Sequence, residues 1–201
     1  MAVSEKLRAF LNQAKVKYTV AKHPAVYTAQ EIAASQHVPG RQLAKCVLVK
    51  TDRGPLLVVL SAIHRVDLNK LKTLVGAHAL TVAKEAEVKQ AFPDVDVGAM
   101  SPFGNLYNVP VLVDRSVGES QDIVFNAGSH TETMTLRYHD FAALVKPRVG
   151  QFAQPFPEAK PKPTRARRAG SKASQPKRPA RSRRPVARVR PRRKKPGARK
   201  R

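Results

Sequence analysis

Residues 159–201 hold 20 Lys and Arg and neither Asp nor Glu, so they carry +20 of the formal +24 of the chain. This run constrains the fold more than any other feature. Like charges at that density repel, and two Val are its only sizeable apolar side chains, so it can neither build a core nor join one. Seven prolines among scattered Ala and Gly mark it as disordered. A solvated polycation seeks a polyanion, and nucleic-acid phosphates release counterions when Lys and Arg neutralise them. Folding falls to the remainder, where 18 Lys and Arg face all 14 acids. The expected division is a folded body over residues 1–150 and a basic tail over 151–201.

A body of that length buries a proper core. Its apolar residues are mainly Val, Leu, Ala and Ile, with no Trp. Cys46 is the single cysteine, which forbids an internal disulfide and fits a reducing, cytoplasmic setting. No run approaches the 18 apolar residues of a membrane span, so no membrane partner is expected. The N-terminal stretch has no apolar h-region and carries an acid, unlike a secretory signal. Because it runs directly into strand-like sequence, a mitochondrial presequence is disfavoured.

Helical and strand signals alternate along the body. Ser4 to Val16 places Leu7, Phe10, Leu11 and Ala14 on one helix face. Tyr18 to Lys22 reads as a strand, ended by His23-Pro24. Thr28 to Glu31 is a capping box opening a helix to Ser35. Lys45 to Lys50 and Leu56 to Leu60 read as a hairpin closed by Asp52-Arg53-Gly54. Asp67 to Val75 is a helix with Asp67 as N-cap and Gly76 as C-cap. Leu80 to Val82 is extended, Lys84 to Phe92 helical, and Val97 to Gly104 a loop. Val109 to Asp114, Ile123 to Asn126 and Thr133 to Arg137 are strand-like, and Asp140 to Val145 is a closing helix. Hairpins interrupted by helices, without a βαβ repeat, predict a compact α+β domain: a mixed, mainly antiparallel sheet flanked by helices.

Standard catalytic signatures are missing: no Walker loop, Gly-x-Ser-x-Gly elbow, His-Glu-x-x-His or Cys-x-x-Cys occurs. The six histidines lack metal-ligand spacing, so neither a metal nor another cofactor is expected. Three features remain, each with two readings. The loop Gly98-Ala-Met-Ser-Pro102-Phe-Gly104 is either a surface turn or backbone whose N–H groups meet a carbonyl or phosphate oxygen. Asn126-Ala-Gly128-Ser-His130 is either a hairpin turn or a ligand-facing strand end. Lys45 is either a solvated gatekeeper at the rim of an apolar strand or a cation aimed at an anion. Cys46, inside the same apolar run, reads as a buried inert thiol rather than a nucleophile.

Taken in order, Ala44-Lys45 heading a strand, GAMSPFG at 98–104, FNAGSH at 125–130 and the upstream stretch 23–45 resemble the YbaK-type family. These are free-standing relatives of the editing domain inserted in bacterial prolyl-tRNA synthetases. The resemblance covers about residues 4–148. It implies hydrolysis of the ester joining a wrong amino acid to tRNA, with Lys45, Gly98, Pro102 and His130 as the functional set. Tyr27, Met100, Ser101, Phe103, Gly104, Asn126 and Gly128 are the candidate substrate-binding residues. The resemblance further implies that Lys45 anchors the terminal phosphate of the acceptor end; Lys45 or His130 as general base is the alternative. Cys46 stands where some relatives carry a polar residue, which leaves alanine, cysteine and serine/threonine all open as the amino acid removed. Implied partners are mischarged tRNA, DNA or other RNA through the tail, and an aminoacyl-tRNA synthetase. A second reading keeps only the tail: an inactive body on a DNA- or RNA-associated protein.

Overall fold

The computed structural model of the chain describes residues 5–25 and 27–156, which belong to a unit spanning Met1–Glu158. The expectation of disorder from residue 157 onward lies outside the described residues.

The local signals act where capping chemistry is strong. Thr28 Oγ1 accepts from Glu31 N–H and the Glu31 carboxylate accepts from Thr28 N–H, which opens α2 (Ala29–Ser35). Asp67 accepts from Asn69 and Lys70 N–H at the head of α3 (Leu68–Val75), and Gly76 ends it at φ +64°. Helix α1 (Glu5–Gln13) buries Leu7 and Leu11. Helices α4 (Glu85–Ala91) and α5 (Tyr138–Val145) lie near their predicted spans.

Five strands make the larger, mixed sheet in the order β5-β2-β3-β6-β9. They are β2 (Ala44–Thr51), β3 (Gly54–Ser61), β5 (Leu80–Val82), β6 (Val111–Asp114) and β9 (Arg148–Gly150). The β2–β3 hairpin pairs Lys45 with Leu60 and Thr51 with Gly54, whereas β3–β6 and β6–β9 are parallel. An antiparallel sheet joins β1 (Tyr18–Lys22), β8 (Glu132–Arg137) and β7 (Asp122–Asn126). A bridge from Leu43 to Val124 ties the head of β2 to β7. That bridge brings the start of the lysine-bearing strand beside the end of the strand carrying Asn126.

The main core gathers Leu48, Leu57, Val59, Phe92, Phe125, Met134 and Phe141 around Phe103. A smaller core, Val49, Val58, Leu60, Leu71, Leu112 and Phe152, fills the other face of the large sheet. The fold therefore runs past residue 150. Strand β10 (Ala153–Pro155) pairs antiparallel with β4 (His64–Val66), and Phe152 is fully buried. The buried Asp114 carboxylate accepts from Phe152 N–H at 2.7 Å and Ala153 N–H at 2.8 Å, while its other oxygen accepts from Ser116 N–H at 3.0 Å. Burial on its own would raise the Asp114 pKa, but these hydrogen bonds outweigh it and hold the group below its usual value. Among the described residues no helix is long and apolar enough to cross a membrane.

Candidate active site

Alternation along β2 separates the two residues at its head. Cys46 lies on the face that packs on the main core with Ala44 and Leu48, and burial pushes its thiol pKa up, so it is a poor nucleophile. Lys45 lies on the opposite face, half-buried. Desolvation lowers its pKa from 10.5. No carboxylate pairs with it among the described residues; its ammonium lies 4.7 Å from the centroid of the Phe156 ring. By contrast Lys50, at the other end of the strand, is exposed and bonds Glu87 at 2.7 Å. Of the two lysines, Lys50 is the solvated one, and Lys45 is without a carboxylate partner among the described residues.

Lys45 lines a cavity of about 160 Å³ together with Tyr27, Leu43, Gly98, Met100 and Asn126, with Ile32, Ala44 and Cys46 completing the wall. A larger open groove of about 740 Å³ along Lys17, Tyr18, Leu136 and Arg137 contains neither Lys45 nor Gly98.

The glycine turn is built by its neighbour in space. Gly128, at φ +102°, donates its N–H to Ala99 O at 3.1 Å, and its own carbonyl accepts from Asp96 N–H at 3.0 Å. His130 Nε2–H donates to Val97 O at 2.9 Å, since a carbonyl can only accept. Gly98 takes φ +88°, a conformation that disfavours any Cβ. So held, the N–H groups of Gly98 and Met100 have no acceptor among the described residues. Both residues line the cavity. Asn126 Oδ1, on the same wall, is likewise buried without a partner.

The structure thus brings together Lys45, Gly98, Met100, Asn126 and Tyr27 and sets aside part of the predicted set. His130 does not line the cavity. Nε2 is committed to Val97, Nδ1 is enclosed, and the ring lies against Tyr27, tilted by 50° with 4.8 Å between centroids. Through the bond to Val97 O the residue braces the loop. Gly128 has the same bracing role. Ser101, Pro102 and Phe103 are buried away from the cavity. Phe103 in particular is a core residue, with the rings of Phe10, Phe125 and Phe141 between 5.5 and 6.1 Å away. Gly104 is required for packing: a Cβ there would stand 2.6 Å from Val109 O. Not foreseen were the apolar walls Ile32 and Leu43 and the Phe156 ring beside Lys45. The first two were hidden among ordinary core residues, and the third lay where the tail was expected to begin.

Residues 23–144 match the profile of the family described as "Aminoacyl-tRNA editing domain". The chain is 26% identical to the prolyl-tRNA editing protein ProX of Acetoanaerobium sticklandii over 152 residues, spanning 73% of this chain and 92% of that one. It is 26% identical over 153 residues to the multifunctional Ser/Thr-tRNA deacylase ProXp-y of Escherichia coli K12, covering 74% and 91%. A solved structure assigned as a trans-editing enzyme for prolyl-tRNA synthetase superposes with a TM-score of 0.67 at 22% identity, over 76% of this chain and 99% of that one, a likeness of fold.

Proposed function

The chain belongs to the aminoacyl-tRNA editing domain family, and from that premise we propose that it is a free-standing deacylase that removes small, wrongly attached amino acids from tRNA. The observation that carries this reading is a single cavity lined by Lys45, which has no carboxylate partner among the described residues, and by Gly98 and Met100, whose N–H groups have no acceptor among them. An aminoacyl ester is already activated, so no covalent nucleophile is needed. Water adds to the carbonyl carbon, and negative charge collects on the carbonyl oxygen. Donors fixed in advance at that oxygen are worth about 3–4 kcal/mol each in other hydrolases. Collapse of the tetrahedral species breaks the bond to the ribose oxygen, which leaves protonated. The neighbouring ribose hydroxyl is placed to orient the water, so the substrate supplies part of the catalysis.

Lys45 anchors the phosphate of the acceptor end. Its burial strengthens that contact by excluding water. Asn126 Oδ1 accepts from the aminoacyl α-ammonium. A cavity of only about 160 Å³ favours side chains of the alanine, serine, cysteine and threonine class. Apolar walls of this kind separate substrates differing by one methylene by only about 1–3 kcal/mol. Activity on several small amino acids follows from that limit.

The basic segment after residue 158 adds affinity for tRNA without selecting sequence, and the same charge would hold DNA or other RNA. The test is a panel of mischarged tRNAs given to the full chain and to a chain ending at Glu158. Hydrolysis by both, with duplex DNA binding lost only on truncation, supports the reading. Inertness of both toward every ester, with DNA binding that depends on the tail alone, would instead make the protein a nucleic-acid-associated one without enzymatic activity.

A further inference from the structure

Two large aromatic side chains are exposed among the described residues: Tyr27 at 74%, which lines the cavity, and Phe156 at 44%, whose ring lies against the cavity residue Lys45. The placement of Phe156 is fixed by the strap before it. Phe152 is locked in the smaller core, the Asp114 carboxylate holds the N–H groups of Phe152 and Ala153, and β10 pairs with β4. The ring that follows rests one face on the Lys45 ammonium and remains partly open to solvent. An exposed aromatic face beside a cation is how single-stranded nucleic acid is held without reading sequence: bases stack, phosphates pair.

We propose that Phe156 is a stacking platform for the 3′-terminal base of the acceptor end, with Lys45 beneath it on the adjoining phosphate. The strap thus serves as an RNA-positioning element rather than a mere end of the fold. This rests on the deacylase reading for its substrate, and its test is chosen to separate the two. The probe is a short RNA hairpin whose unpaired 3′ end carries 2-aminopurine as the last base, whose fluorescence falls when it stacks. The full chain should quench it, Phe156→Trp should retain the quenching, and Phe156→Ala and Phe156→Leu should abolish it. On mischarged tRNA, Phe156→Ala should lower kcat/KM about tenfold through KM, the effect of one lost base–aromatic stack. Because the ring is partly exposed, these variants leave the core intact, and a melting curve matching the parent's verifies it. Quenching that persists in Phe156→Ala, its absence in the parent, or a kcat/KM that is unchanged or raised by the substitution overturns the platform. Hydrolysis by the parent together with any of those results leaves the deacylase standing alone. Phe156-dependent quenching with no hydrolysis of any ester keeps the platform and removes the deacylase.

Discussion

Substituting Gly98 by Ala should separate the stability of the loop from its chemistry. At φ +88° a residue with a Cβ is strained by about 1–2 kcal/mol. The added methyl itself would meet His130 Cε1 at 3.5 Å, an ordinary contact, so sterics add nothing further. For a body of this length that strain lowers Tm by about 2–8 °C. The chain can relieve it only by turning the peptide, which swings an unused N–H away from the cavity. Losing one such donor costs about 10²–10³ in kcat. Gly76→Ala is the matched control. It sits at φ +64° in the C-cap of α3, with Arg53 Nη2 the nearest atom at 4.0 Å, and lies outside the cavity lining. Its Tm should fall by a similar amount while kcat stays unchanged. Thermal melts and single-turnover deacylation read both quantities. If the two variants lose the same stability and both keep full kcat, the Gly98 turn takes no part in hydrolysis.

Replacing His130 by Ala should lower kcat about 10–100-fold by loosening the loop, with the shape of the pH–rate profile unchanged; loss of one limb of that profile would assign the imidazole as the base after all. For Lys45→Ala the expected effect is a rise in KM of about 10–100-fold, the worth of one hydrogen bond to a charged group. Because burial lowers the Lys45 pKa, KM of the parent should start to climb at a pH below that at which an ordinary lysine discharges. The unfolded chain holds that proton more tightly, so the charging penalty acts at lower pH and stability gains as pH rises between the folded value and 10.5. Asp114→Ala strips the acceptor from three N–H groups and should cost about 3–5 kcal/mol, read as the denaturation midpoint. In the parent, the Asp114 contribution is complete above its unfolded value of 3.8 and is lost as pH falls through the depressed folded value.

What the sequence disclosed was governed by how local its physics is. The Thr28–Glu31 box, the Asp67 cap and the Gly76 stop depend on neighbours within four residues, and the structure has them as read. Strands β4 and β10 are three residues each and carry no period; they exist because each completes the other, a pairing of residues about ninety positions apart that no window reveals. Phe152 sits among Gln, Gly and Pro and looked like the onset of the tail, yet a buried carboxylate at Asp114 captures it. Within the Gly98–Gly104 loop the sequence shows one uniform glycine-bearing stretch. Only tertiary packing divides it, sending Gly98 and Met100 to the cavity wall and Phe103 into the aromatic core. Two glycines of the same loop are there for unlike reasons: one for its φ, the other for the closeness of a carbonyl. For Lys45 the strand pattern alone favours the gatekeeper; the anion-facing reading gains once the bond of Lys50 to Glu87 is set beside a Lys45 that has no carboxylate partner among the described residues.

The most direct measurement is a crystal structure of the full chain with a short acceptor-end RNA carrying an amide-linked alanine in place of the ester. The carbonyl oxygen is expected 2.7–3.1 Å from the N–H of Gly98 or Met100, with the adjoining phosphate on Lys45 Nζ. An analogue seated elsewhere, or bound with its carbonyl turned away from the Gly98 turn, would contradict the assignment of this cavity as the hydrolytic centre.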